Sequence, residues 1–265
     1  MTSAGLTLPK DTPRTFGIVL YTQFEVLDVF GPVEALNTIS RNLAPTETPM
    51  KCITFGMHAA KPIRSGPPTG VGSLFSQSFL PDASFDDDAK LAELDVLIVP
   101  GGLGPADAAE KQAVINFIQR FYNRNVKHHK NRYLFTVCTG ANLAAFRSSE
   151  TPEVPSPLEG RVATTNKSVW AYFFGQQKLH PATYWVAQAR WVPQGDVWTT
   201  SGVSAGTDGM IAWIAQVYGE DKAQFACNGM EYNRQANPDL DPFAALYGAK
   251  DVPATQADVK WIIKA

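Results

Sequence analysis

Of the side chains in this sequence, a cysteine is best suited to attack carbon, and Cys138 has the surroundings for it. Residues 133–137 (YLFTV) are β-branched and aromatic, a run of strand length, and small residues with helical spacing follow Cys138. A strand that feeds directly into a helix sets Cys138 on a sharp turn, with its sulfur near the positive end of that helix. Such a setting favours thiolate over thiol. Gly140 removes a side chain where a ligand would approach. A strand end is also an ordinary place for an inert core cysteine, so both readings stand on this run alone.

Cysteine chemistry at carbon needs an acid/base group and donors for developing negative charge. Asp28 is the first candidate for the former. Residues 16–21 (FGIVLY) read as a strand buried on both faces, and residues 25–39 carry apolar side chains at helical spacing. Pro32 fits best as an early helical residue, which places Asp28 in the turn just before the helix. A carboxyl there serves either as a helix N-cap or as a proton carrier. Beside a thiolate, like-charge repulsion and partial burial would raise its pKa. Glu25, one helical turn earlier, is the alternative and is expected to face solvent.

The donors are expected from three places. Residues 95–99 (DVLIV) form a strand that ends in Pro100-Gly101-Gly102, and glycines there leave backbone N–H groups exposed at the carboxyl edge of a sheet. Thr139 offers a hydroxyl and a backbone N–H on the cysteine turn. Asn166 follows a strand over residues 161–165; it cannot exchange a proton near neutral pH but can donate and accept hydrogen bonds. It either orients a substrate carbonyl or water, or caps a helix over residues 166–177. Cys52 and Cys227 read as buried structural thiols, and His128 and His129 as solvated loop residues in a basic turn.

These residues need elements to hold them. Further strands are predicted over residues 50–57 and, as a hairpin around Pro193-Gln194-Gly195, over 183–192 and 196–200. Asp107 or a neighbour caps an amphipathic helix running to about residue 126. Residues 60–84 read as an irregular hairpin region, and 148–157 as a Pro-rich surface loop. Helices are predicted over 207–218 and 221–232. Strands alternating with helices predict a mainly parallel sheet covered on both faces, a three-layer α/β/α sandwich. The expected organisation is one domain over residues 16–243, a loose arm over 1–15 and a weakly helical tail over 244–265.

Composition narrows the function classes. The 265 residues are 45% hydrophobic and 18% charged, ordinary for a globular chain with a sizeable core. A net charge of -2 gives no electrostatic case for nucleic acid or an anionic membrane. No apolar run reaches transmembrane length, and the N-terminus lacks the regions of a signal peptide. Three scattered cysteines argue against a disulfide framework and for a reducing, cytoplasmic setting. No CxxC, HExxH or P-loop pattern occurs, so no metal or cofactor is expected, and the partner is a small molecule.

Several motifs in order resemble the DJ-1/PfpI superfamily, and within it the isocyanide hydratase-like branch. They are LDVFGP at residues 27–32, VPGG at 99–102, VCTGA at 137–141, GRVATT at 160–165, RWV at 190–192, TSGVSAGTDG at 200–209 and EYNRQANPDLDPF at 231–243. The resemblance implies a flavodoxin-like sandwich, usually a homodimer, with a reactive cysteine at the strand–helix turn. It pairs Asp28 with Cys138 and maps oxyanion-type donors onto Gly101, Gly102 and Thr139. Most relatives carry a histidine where this chain has Asn166, which argues against a Cys–His hydrolase mechanism. The implied activity is a cofactor-independent, cysteine-dependent lyase of hydratase type that adds water, or an internal nucleophile, to an electrophilic carbon, isocyanide hydratase-like or in a related biosynthetic tailoring step. The alternatives are a glyoxalase III-like or deglycase-like enzyme on small dicarbonyls, and a non-enzymatic redox sensor.

Overall fold

The computed structural model describes residues 5–66, 75–105, 107–124, 132–175 and 181–255. In chain order the elements are β1 Thr15–Val19, α1 Val26–Ser40, β2 Lys51–Gly56, β3 Ile63–Arg64, β4 Ser78–Phe79, β5 Ala83–Ser84 and α2 Asp88–Glu93. There follow β6 Val96–Val99, α3 Ala108–Asn123, β7 Tyr133–Thr136, α4 Gly140–Ala144, β8 Val162–Ala163, α5 Trp170–Gly175 and β9 Tyr184–Trp185. The last are β10 Trp191–Gln194, β11 Val197–Thr200, α6 Ala205–Val217, α7 Glu220–Met230 and α8 Pro242–Leu246.

The main sheet has seven strands in the order β10-β11-β7-β6-β1-β2-β5, all parallel except the β10/β11 hairpin. Its central strands are apolar on both faces because helices cover both. In β6, Val96 and Ile98 join the buried cluster formed with α1, α6 and α7, whereas Leu97 and Val99 join the one formed with α3. This is the α/β/α sandwich the alternation implied. The chain leaves β1 towards β2 on one side, while β6 lies on the other, so the sheet has a switch point between β1 and β6. Crevices at the carboxyl ends of strands open at such points. The turns after β1, β6 and β7, which carry Asp28, Gly101 and Cys138, all meet there.

Several boundaries differ from the sequence reading. The helix α1 starts at Val26, so Asp28 lies inside its first turn and Pro32 in its interior. Proline lacks an N–H and crowds the carbonyl four residues back, which here is that of Asp28. The helix is packed closely against α6 at the residue before Pro32: a Cβ on Gly31 would lie 2.2 Å from Thr207 Oγ1, so the Thr207 side chain rests on the α1 backbone. The strand expected over 183–192 divides. Its first part, β9, pairs with β8 in a separate small sheet, and only β10 joins the main one.

The expected loose arm is docked from Gly5 onward. Leu8 is buried, Leu6 exchanges backbone hydrogen bonds with Asn42 and Ala44, and Tyr218 donates its hydroxyl to Pro13 O at 2.6 Å. The described part of the tail, up to Thr255, is docked as well. Trp170 Nε1 donates to Lys250 O at 3.0 Å, and Val252 pairs with Trp185. Cys52, expected to be buried, is exposed. Residues 148–157 do form a surface loop, fastened to α3 where Asn116 accepts from Ser148 Oγ and Gln119 donates to Pro155 O. His128, His129 and His180 lie outside the described residues.

Candidate active site

Cys138 has a backbone φ of 57°, the left-handed region that a side chain enters only at a cost of about 1–2 kcal/mol. Three hydrogen bonds hold it there. Its N–H is shared between Thr200 O at 3.2 Å and Ser201 O at 3.0 Å, and its carbonyl accepts from Thr165 Oγ1 at 2.8 Å. Two glycines make room for the turn. A Cβ on Gly140 would lie 2.3 Å from Val99 O, and one on Gly101 would lie 2.8 Å from Cys138 Cβ.

Four groups converge on the sulfur. Asn166 Nδ2 donates to it at 3.1 Å, and the backbone N–H groups of Thr139 and Val203 point at it. The carboxyl of Asp28 is the fourth. Asn166 Oδ1 accepts from Ser168 N at 2.7 Å and from Ser168 Oγ at 2.6 Å, which fixes the amide with its nitrogen towards sulfur. Asn166 therefore does not cap α5, which begins only at Trp170; it closes a local turn and serves the thiol at once.

Asp28 is fully buried. Its Oδ2 accepts from Gly101 N at 2.7 Å, and its Oδ1 has no donor. The Cys138 thiol neighbours this carboxyl without a formed hydrogen bond to it. Burial pushes the Asp28 carboxyl up to about 7, the Gly101 N–H opposes this, and the Glu25 charge adds to it. Burial likewise pushes the Cys138 thiol up to about 12, with the Asp28 charge adding and the three donors opposing.

Two expectations are corrected here. The thiol is not held as a thiolate at neutral pH. α4 has only five residues, and exclusion of water outweighs what its short dipole supplies. The glycine turn does not offer free oxyanion donors either. Gly101 N–H is spent on Asp28, and Gly102 N–H donates to Thr139 Oγ1 at 3.0 Å. The donors facing the Cys138 sulfur are those of Asn166, Thr139 and Val203 instead. Glu25 is half-buried at the N-cap of α1, with its N–H on Gly101 O at 2.8 Å.

Lys167 and Asp241 escaped the sequence reading, and both side chains are 0% exposed. Lys167 Nζ donates to Thr164 Oγ1 at 2.6 Å, Thr165 O at 2.8 Å, Ala189 O at 3.1 Å and Ser201 Oγ at 3.1 Å. Asp241 Oδ2 lies 3.4 Å away. Burial lowers the ammonium to about 8 against the opposing pull of Asp241. The signals were the Asp-Pro pair that starts a helix and a charge placed two residues after the Ala-Thr-Thr strand end. A cavity of about 250 Å³ opens beside the site, lined by Asn166, Lys167, Ser201, Val203, Phe243 and Tyr247 among others. Among the described residues no group of three or more His, Cys, Asp or Glu is placed to hold a metal ion. Nor, among them, is any helix long and apolar enough to cross a membrane.

The DJ-1/PfpI family model matches residues 16–216, which include every group around the sulfur. The chain belongs to the DJ-1/PfpI family. It is 26% identical over 240 residues to an isonitrile hydratase of Pseudomonas putida, across 88% of this chain and 87% of that one. Among solved structures it is similar to a ThiJ/PfpI family protein of Pseudomonas syringae, with a TM-score of 0.59 at 19% identity over 86% of this chain and 78% of the other. DJ-1beta of Drosophila melanogaster gives 0.58 at 14% identity over 84% and 100%. These structural likenesses carry the fold of the DJ-1/PfpI family, a mainly parallel sheet between helical layers.

Proposed function

We propose that this DJ-1/PfpI protein is a cofactor-independent, cysteine-dependent lyase of hydratase type, adding water to the terminal carbon of an isocyanide. The observation that supports it is the buried Asp28 carboxyl beside the Cys138 thiol, a nucleophile and a proton carrier in one dry place. The similarity to an isonitrile hydratase suggests the substrate class.

In this reading the sulfur attacks the terminal carbon of R–NC. A C–S bond forms, and the thiol proton, carried by Asp28, ends on the same carbon to give the thioimidate R–N=CH–S. Water then adds across the C=N bond, its oxygen to carbon and one proton to nitrogen through Asp28. The C–S bond breaks, the hydroxyl proton returns to sulfur, and R–NH–CHO leaves. Asn166, Thr139 and Val203 stabilise negative charge on the sulfur as its proton departs and as the C–S bond opens.

Dicarbonyl conversion fits less well, because Asn166, the side chain that donates to the sulfur, cannot carry a proton near neutral pH. A redox sensor needs an exposed, acidic thiol, and this one is buried and held high. Incubation of the pure protein with p-nitrophenyl isocyanide and, separately, with methylglyoxal tests the choice. The expected outcome is N-(4-nitrophenyl)formamide in the first and slow or no loss in the second; rapid methylglyoxal loss without formamide would overturn it. The homodimer belongs to the same proposal, and sedimentation equilibrium is expected to give twice the mass of one chain.

A further inference from the structure

The cavity beside Cys138 has two walls of different origin. Asn166 and Val203, which touch the sulfur, form one. Phe243 and Tyr247, four residues apart and so on one face of the α8 turn, form the other. Both aromatic side chains remain open to solvent, at 44% and 49%. Of the residues of α8 itself only Ala244 is buried, so apolar packing alone does not place this wall.

Asp241 does much of the placing. Its Oδ1 accepts from Phe243 N at 3.1 Å and caps α8, and its Oδ2 faces Lys167 Nζ at 3.4 Å. Gln188 Nε2 adds a bond to Asp241 O at 3.1 Å. Lys167 directly follows Asn166, and its ammonium also holds Thr165 O and Ser201 Oγ, whose neighbours grip the Cys138 backbone. Five oxygens surround an ammonium that has three protons. This cage ties the aromatic wall to the floor on which the sulfur sits.

The volume of about 250 Å³ lies just below that of pockets for drug-sized ligands, about 300–1,000 Å³. It suits a body of one or two rings. Two half-exposed aromatic faces above a floor of serine, asparagine and lysine suit a flat apolar body with its reactive group pointing down.

We infer that Phe243 and Tyr247 are the specificity wall of the Cys138 site, selecting substrates whose electrophilic carbon is carried on an aromatic body, and that the buried Lys167–Asp241 pair positions this wall. The inference rests on Cys138 as the reactive atom and not on hydration. Two probes separate it from the preceding proposal: iodoacetamide and N-phenyliodoacetamide. Each is displaced by the sulfur, with the C–S bond forming, iodide leaving and the thiol proton passing to Asp28 or water. Peptide mass mapping of the full chain distinguishes Cys138 from Cys52 and Cys227.

The quantity read is the ratio of the two alkylation rates at Cys138, in which any general change in thiol reactivity cancels. The wild-type ratio is expected to favour the phenyl reagent. Phe243→Ala and Tyr247→Ala are each expected to lower it by about threefold to tenfold, the worth of one aromatic pairing. Asp241→Asn is expected to lower it similarly. The two exposed aromatic positions keep the test decisive if Asp241→Asn fails to fold. An unchanged ratio in the aromatic variants would overturn the inference. So would an unchanged ratio with a fall in sedimenting mass, which would assign the pair to an interface between copies. Failure of the hydratase proposal would show separately, as absence of formamide.

Discussion

At the scale of single residues, the two ionisable partners at the centre do opposite things to the fold and to the chemistry. Asp28 has its carboxyl raised to about 7, so between its ordinary value and 7 the folded chain binds a proton that the unfolded chain has lost. Stability therefore falls as pH rises through that window. Replacing the carboxyl by an amide removes the penalty and keeps an oxygen for Gly101 N–H. Denaturant unfolding of Asp28→Asn is expected to gain about 2–3 kcal/mol on wild type between pH 5 and pH 8. The same substitution should abolish a rise of kcat/KM with pH centred near 7, measured with an aryl isocyanide. The meeting of Cys138, Asp28 and Asn166 was legible through the motifs of the resemblance, LDVFGP, VCTGA and GRVATT, since the residues alone left an inert cysteine and two helix caps as alternatives. The oxyanion assignment to Gly101 and Gly102 failed because sequence fixes where a backbone N–H lies along the chain and not what it meets in space. For the same reason the N–H of Val203, on a residue with φ 27°, was invisible.

At the scale of elements, the site depends on how short pieces are fastened. α1 carries Asp28 in its first turn, close against α6 at Gly31, and α8 hangs on Asp241. Removing one member of a buried ion pair leaves the other charge uncompensated. Lys167→Met is therefore expected to cost about 3–5 kcal/mol in denaturant unfolding. Adding Asp241→Asn should cost less than the sum of the two single changes, a coupling of about 0.5–3 kcal/mol; strict additivity would deny the pair. Apolar runs such as FGIVLY and DVLIV announced their strands, and Asp107 its cap, since burial on both faces and an N-cap leave local marks. The split of residues 183–192 between two sheets left none. Which sheet a strand joins is decided by partners distant in the chain, here β8 for β9 and, through β11, β7 for the β10/β11 hairpin.

At the scale of the whole molecule, the parallel sheet brings three turns from distant parts of the chain to one edge, and the terminal segments brace it from outside. The layers were legible from alternating strands and helices. The docking of the segments around Leu8 and Val252 was not, because both look like isolated apolar positions until the surfaces they cover are known. Leu8→Ala is expected to lower unfolding stability by about 2–3 kcal/mol, the cost of emptying a buried leucine site, measured by denaturant titration. A change below about 0.5 kcal/mol would mean the arm is loose in solution. In the proposed chemistry one proton passes between the Cys138 sulfur and the Asp28 carboxyl. The turnover of p-nitrophenyl isocyanide by wild type, Cys138→Ala and Asp28→Asn, side by side, tests that pairing most directly. Loss of at least about 10²-fold in both variants is expected, the usual scale of an acid/base partner. Near-wild-type turnover by Asp28→Asn, or formamide from Cys138→Ala, would contradict it.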